Sequence, residues 1–332
     1  MTWPTVPIPE LTTYQEEMLE SITTSLRLPS HLVNPTKIRP VMNESEWLLS
    51  SDPAAMLREG DRQLSRFRFS DRKLRLFACG CCRLVWNKLT DPRSRRAVGV
   101  AERYADGEAS SKDRGLEMNK VDLIRSPTMY ALAAACLRSK AGQAANEAVQ
   151  FGYEYQAPAQ AALLRDIFGN PFRPVESPWD YDEGGFAVKD AAWLAPDVLA
   201  LAQAAYDERP GQRCKRCKGG GSVPAYTGMY RLGSNPCGEC HGAGKVGEGL
   251  LDPVPLAILA DALEEAGCGD EEILFHLRGI VGCDRCEGAG IICESPALSS
   301  RRPCPKCDGK GLVPPVPHVR GCWVIDLLLG KS

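Results

Sequence analysis

One eight-residue pattern occurs four times in this chain: CKRCKGGG from Cys214, CGECHGAG from Cys237, CDRCEGAG from Cys283 and CPKCDGKG from Cys304, each fitting Cys-x-x-Cys-x-Gly-x-Gly. Two thiolates at this spacing can grip one metal ion from a tight turn, and two such turns supply the four sulfurs of a closed tetrahedral zinc site. The glycines fit the same reading, because backbone just past the second cysteine must curl back through left-handed conformations that a residue without Cβ adopts freely. The motifs therefore predict eight metal ligands, Cys214, Cys217, Cys237, Cys240, Cys283, Cys286, Cys304 and Cys307, for two Zn2+ ions. Cysteines serving only as small apolar fillers would not bring the glycines with them. Cys-x-x-Cys is also a thioredoxin-like redox signature, but here it lacks the strand-and-helix setting and is repeated in pairs, which leaves thiol redox chemistry as a secondary reading.

Reduced thiols require a reducing compartment. The opening stretch MTWPTVPIPELTTYQEEMLE has no basic start followed by an apolar run, and no segment approaches the roughly 20 apolar residues of a membrane helix. A soluble, cytoplasmic protein is expected, and 332 residues are enough to bury a core without disulfides. The formal charge of −2 gives no overall attraction to phosphate backbones or anionic lipid, so any nucleic-acid contact must rest on a local patch.

Outside the motifs the chain reads as mainly α. SDRKLRLFACGCCRLVWNKLTD offers Ser70 or Asp71 as a cap and one apolar stripe of Leu74, Phe77, Ala78, Cys81, Leu84 and Val85. A second helix is expected to restart after Asp91, with Pro92 in its first turn and Gly107 closing it. MYALAAACLRSKAGQAANEAVQ, APAQAALLRDIFG and APDVLALAQAAYDER have the Ala- and Leu-rich composition of helices. Gly169 to Gly184, with three prolines, reads either as an ordered connection pinned by Phe172 and Trp179 or as a mobile loop. Between the second and third motifs, residues 250–280 predict a helical hairpin: Pro253 to Ala266, a stop at Gly267, a cap at Asp270, and a second helix ended by Gly279. Glu271 and Glu272 then sit at the positive end of that helix and read as a solvated cap rather than a general acid/base couple.

The four motifs resemble the cysteine-rich zinc domain of the DnaJ chaperones, which carries the same pattern four times and holds two zincs. The resemblance covers about a quarter of the chain, and it implies a protein or peptide partner, unfolded chains among them. No His-Pro-Asp tripeptide occurs, so the element by which J-proteins stimulate their partner chaperone is missing. SDRKLRLFACGCCRLVW, LLRDIFGNPFRPV, PLAILADALEEAGCGDEEILFHLRG and HVRGCWVIDLLLGK are similar to an uncharacterised helical family abundant in planctomycetes, where these stretches follow one another without cysteine motifs. The resemblance implies a helical domain carrying two small zinc-binding insertions of irregular or β-hairpin structure. The expected partition is an N-terminal arm with a short helix (1–42), a helical body (43–211), zinc insertion 1 (212–249), a helical hairpin of the body (250–280), zinc insertion 2 (281–317) and a C-terminal helix (318–332). Since each insertion brings two complete motifs, local pairing is expected: Cys214 and Cys217 with Cys237 and Cys240, Cys283 and Cys286 with Cys304 and Cys307. The DnaJ arrangement is instead nested, first motif with fourth and second with third. Loop closure does not separate the two, differing by only about 0.7 kcal/mol.

Seven cysteines lie outside the motifs. Cys79, Cys81, Cys82, Cys136, Cys268 and Cys322 read as core packing, since reduced cysteine behaves as a small hydrophobe, and Cys293 as the most accessible thiol. His241, next to Cys240, is a weaker ligand candidate than the cysteines. His31, His241, His276 and His318 have no obvious partners at relay spacing, GKS at Gly330 lacks the upstream glycine of a phosphate loop, and no Gly-x-Ser-x-Gly elbow occurs. The function expected is a non-enzymatic, zinc-binding interaction protein, with no membrane contact and no small-molecule substrate identified. The alternative is nucleic-acid binding through insertion 1, where Arg213, Lys215, Arg216, Lys218, Arg231 and Lys245 face only Glu239 and Glu248, and Tyr226 and Tyr230 could stack on bases.

Overall fold

A computed structural model describes residues 42–60, 69–121, 127–175, 178–182, 185–188, 193–207, 212–220, 222–227, 230–237, 245–246, 249–279, 281–282, 291–293, 301–304, 312–313 and 317–331. The arm expected over residues 1–42 falls outside them except for Met42.

The described chain is mainly helical. After α1 (Glu44–Leu49) and α2 (Pro53–Gly60) comes α3 (Asp71–Leu84), then a 3-10 turn (Trp86–Lys88), α4 (Pro92–Ala105), α5 (Ser111–Val121), α6 (Pro127–Cys136) and α7 (Ala141–Phe168). Local chemistry places several starts where the sequence puts them. Ser70 caps α3 by accepting from the Lys73 N–H, and Asp91 caps α4 by accepting from Arg93 with Pro92 in the first turn.

Two details differ from the sequence reading. Helix α3 is buried on nearly every side, from Arg75 through Arg83, rather than along one stripe. It packs chiefly on α7 and also on α4 and α6, so no face is left for solvent. Cys79, Cys81 and Cys82 are consequently core residues, and Arg83 is buried because it pairs with Glu102 through two hydrogen bonds of 2.8–2.9 Å. Secondly, the stretch MYALAAACLRSKAGQAANEAVQ is divided at Leu137–Lys140 between α6 and α7, and α7 runs on through Pro158 into APAQAALLRDIFG, the missing Pro158 N–H costing it one internal bond. Packing of α7 against α2, α3 and α6 outweighs that loss.

Past α7 the connection is ordered where it is described. Asn170 holds the Phe172 N–H, and Trp179 donates from its indole to the Leu327 carbonyl at 2.8 Å. The strands β1 (Trp179–Asp182) and β2 (Gly185–Val188) pair antiparallel, with Trp179 opposite Val188. The tryptophan thus does the pinning that its position suggested.

A second apolar cluster follows, built from α8 (Pro196–Asp207), α9 (Pro253–Glu265), α10 (Glu271–Leu277) and α11 (Trp323–Leu328). Helices α9 and α10 are packed neighbours capped by Asp252 and Asp270, and Arg278 ties α10 back to Asp261 and Glu264 of α9. Leu256, Leu259, Leu263, Ile273 and Ile325 are fully buried here, each contributing about 1.5–3 kcal/mol of apolar burial.

Each cysteine-bearing segment leaves and returns through a short antiparallel pair: β3 (Gln212–Arg213) with β6 (Lys245–Val246), and β7 (Val281–Gly282) with β10 (Leu312–Val313). Inside them lie the hairpins β4 (Ser222–Thr227) with β5 (Tyr230–Pro236), and β8 (Ile291–Cys293) with β9 (Arg301–Pro303). Just beyond both segments the chain meets itself again, since Leu250 bridges Val319 and the Leu251 N–H donates to the His318 carbonyl.

Gly249 sits at this junction with φ +82, and a Cβ there would fall 2.3 Å from the Arg83 guanidinium. Gly249→Ala is expected to destabilise the protein by at least the roughly 1–2 kcal/mol of a left-handed backbone, because it also displaces a buried arginine stacked 3.9 Å over Trp86. The check is a lower urea midpoint at unchanged slope; an unchanged midpoint would show that Arg83 moves aside freely.

Candidate metal centres

Two side-chain groups with metal-ligand chemistry are found among the described residues.

The first comes from the repeated motifs. Cys214, Cys217 and Cys237 place their sulfurs within 4.8 Å of one another, and Cys214 Sγ is 3.8 Å from Cys237 Sγ. Zinc with Zn–S bonds of about 2.3 Å holds tetrahedral sulfurs about 3.8 Å apart, so this pair already has the spacing of two ligands on one ion. The turn that carries Cys214 and Cys217 is closed by N–H bonds from Gly219 to the Cys214 carbonyl and from Gly220 to the Cys217 carbonyl. Lys218 and Gly219 both take positive φ, 51° and 84°, which is the backward curl anticipated from the glycines. The N–H of Cys217 favours a thiolate at Cys214, but desolvation and the neighbouring thiols of Cys217 and Cys237 outweigh it and push its pKa up to about 11. Three sulfurs this close do not ionise together without a cation, so the donor set fits a metal.

Of the other predicted ligands, Cys304 is described and buried, at the end of β9. Cys240, Cys283, Cys286 and Cys307 lie outside the described residues, as does His241. The side chains of Tyr226, Tyr230 and Cys293 are likewise not described.

The second group is assembled from three parts of the chain that are far apart in sequence. Asp166 comes from the last turn of α7, His276 from α10, His318 from the segment that returns from the second insertion, and Cys322 from the N-cap of α11. Their ligand atoms also lie within 4.8 Å of one another. His318 Nδ1 is 2.6 Å and His276 Nε2 3.2 Å from the same Asp166 oxygen, Oδ1, while His276 Nε2 is 3.2 Å and His318 Nδ1 3.8 Å from Cys322 Sγ. The two imidazoles meet edge to face at 4.7 Å, and His276 also leans on Trp323 at 5.3 Å. The second carboxylate oxygen, Oδ2, accepts the Val319 N–H at 3.0 Å.

Three members of this group are buried, Asp166, His318 and Cys322 at 2 %, 7 % and 0 % exposed, while the His276 side chain is partly buried, at 19 %. Burial works against the Asp166 charge, yet His318 and then His276 hold its carboxyl below the usual range. Burial, reinforced by Asp166, pushes the Cys322 thiol well up. Desolvation lowers His276, whereas for His318 the adjacent Asp166 overcomes desolvation and raises it.

No family model, curated protein or solved structure matches the chain. What it does must therefore be argued from these two groups.

Sequence reasoning reached the first group and missed the second. It placed Cys322 in the core, where it lies, but left His276 and His318 without partners, and the fold brings both to Cys322. The four-residue spacing of His318 and Cys322 was the local signal; Asp166 and His276 are reached only through tertiary packing. Cys79, Cys82 and Cys136 are buried thiols, with Cys82 Sγ 3.4 Å from Cys136 Sγ and both facing the Leu132 carbonyl. Among the described residues, no helix is long and apolar enough to cross a membrane.

Proposed function

We propose that this chain is a zinc-binding, non-enzymatic interaction protein in which a helical body presents two metal-stiffened loops, one per pair of motifs, to a protein or peptide partner. The observation that carries the reading is the convergence of Cys214, Cys217 and Cys237 at metal-ligand spacing on a turn closed by Gly219 and Gly220. Cys237 belongs to the second motif, which supports pairing within insertion 1, with Cys240 as the fourth ligand. The same logic assigns Cys283, Cys286, Cys304 and Cys307 to the second Zn2+. Small zinc modules give exposed, stiff surfaces without a large core, and anchoring them on helices suits recognition of a polypeptide. The likeness to the DnaJ cysteine-rich domain adds unfolded or extended chains as the partner class.

A second reading, nucleic-acid binding, is favoured by the exposure of Lys215, Arg216 and Lys218 on the first turn. Those charges also offset the −2 of a Zn(Cys)4 centre, which is the simpler use of them.

The test combines metal quantification with aggregation of a chemically denatured client protein. Zinc-loaded protein is expected to suppress aggregation, and chelation to abolish the effect while helical circular dichroism changes little, because metal binding folds the small modules and the body has its own apolar clusters. Absence of suppression, with single-stranded nucleic acid bound instead in a steeply salt-dependent manner, would replace this reading by the second.

A further inference from the structure

We infer that Asp166, His276, His318 and Cys322 form a separate metal centre in the helical body, a closed four-coordinate site for a divalent ion of the zinc class. It does not depend on the cysteine-motif reading, since none of the four residues belongs to a motif.

A tetrahedral ion with Zn–N and Zn–O bonds of about 2.0–2.1 Å separates such ligands by about 3.3–3.4 Å, and an N···S edge is slightly longer. The His276–Asp166 separation of 3.2 Å is close to such an edge, and the His276–Cys322 and His318–Cys322 separations of 3.2 and 3.8 Å lie on either side of the N···S value. The 2.6 Å contact of His318 with Asp166 must open, by well under 1 Å. The Val319 N–H occupies Asp166 Oδ2, so the carboxylate offers Oδ1 alone, as a one-oxygen ligand held by a backbone hydrogen bond.

Asp166 Oδ1 can accept from both imidazoles, so hydrogen bonding explains the carboxylate but leaves the Cys322 sulfur facing the same two nitrogens without a role. Four electron-pair donors from three chain segments thus point at one spot. Lys73, a nearby half-buried cation, is turned to the Ile167 carbonyl at 3.0 Å instead.

Charge decides the ion. A divalent cation with one carboxylate, one thiolate and two neutral imidazoles is neutral overall, which suits an interior that penalises net charge. Binding expels the Cys322 thiol proton and any proton shared by His318 and Asp166. Thiolate and imidazole select zinc over magnesium or calcium, and four protein ligands fill a tetrahedral shell, leaving no open position for a reacting water. The centre is therefore structural. Asp166 and Val319 border the cluster of α3 and α7, while Cys322 and Trp323 belong to that of α8 to α11, so the ion would join the two.

The test uses the full chain, with zinc and then cobalt as probes. Changing all eight motif cysteines to serine is expected to leave one metal per chain, showing with Co2+ the visible bands of a tetrahedral ion bearing a single thiolate. Adding Cys322→Ser should remove the sulfur-to-cobalt band and lower the count by one, and Asp166→Asn, which keeps an acceptor for Val319, should lower affinity at least tenfold. In the unmodified background Cys322→Ser and His276→Gln should each lower the content by one equivalent, whatever the motifs bind, which covers the case in which the eightfold variant does not fold. A folded eightfold variant without metal, or a metal content untouched by Cys322→Ser and His276→Gln, would reduce the group to a buried hydrogen-bonded ion pair and overturn the inference.

Discussion

Changing Cys214, Cys217, Cys237 and Cys240 together to serine is expected to lower the zinc content by one equivalent per chain and to unfold insertion 1 alone. Local pairing makes the loss one, because the second insertion retains its four cysteines. Nested pairing would make it two, since each site would lose half its ligands. The 3.8 Å between Cys214 and Cys237 favours the smaller loss, as two sulfurs of one tetrahedral site stand about that far apart. The β3–β6 pair that closes the base of insertion 1 brings its two motifs together without help from the other. The free energy at stake is large, about 10–16 kcal/mol of apparent binding in isolated zinc modules, so partial occupancy is not expected. Metal analysis after gel filtration gives the count, and a loss of two equivalents from a folded variant would establish the nested arrangement.

The difference between the two candidate metal groups shows what a sequence can disclose. The motif turns are local: Cys214, Cys217 and the glycines that close the turn lie within seven residues, so spacing alone encodes the geometry. Helix starts are local in the same way, and Ser70, Asp91 and Asp270 each cap where a short polar side chain precedes an apolar run. The burial of α3 is not local, because Arg75 and Arg83 look like solvent-facing residues until Cys136, Arg138 and Glu102 are seen to receive their hydrogen bonds. The cost of Pro158 to α7 is local, whereas the packing that outweighs it is not. Asp166 and His318 are separated by 152 residues, and no periodicity links them. The site in the body was illegible for that reason.

The largest single-residue effect on stability is expected at Arg72, which the sequence offers only as one of several charges opening α3. Its guanidinium donates to Asp106 at 2.9 Å, to Tyr206 at 2.8 Å and to both oxygens of Asp326 at 2.6 and 3.0 Å, thereby joining α3 to α8 and α11. Asp326 and Asp106 are 1 % and 2 % exposed, so neither can recruit bulk water when the arginine is gone. Asp106 keeps Arg320 at 2.6 Å and the Tyr206 hydroxyl at 2.7 Å, whereas Asp326 loses its arginine outright. Arg72→Ala should therefore cost about 3–5 kcal/mol, the penalty of leaving a buried charge without its partner rather than the net worth of the ion pair. Burial already pushes the Asp326 carboxyl above its usual range with Arg72 opposing, and without Arg72 it must rise further. A carboxyl raised in the folded state binds protons that the unfolded chain does not, so stability falls as pH rises through its folded value. The deficit of Arg72→Ala is accordingly largest near neutral pH and narrows as pH falls towards the ordinary carboxylate range. Adding Asp326→Asn should recover part of the loss at pH 7 and remove most of that pH dependence. Urea midpoints at several pH values measure all three; a deficit below about 1 kcal/mol, flat with pH, would mean that Asp326 finds solvation without Arg72.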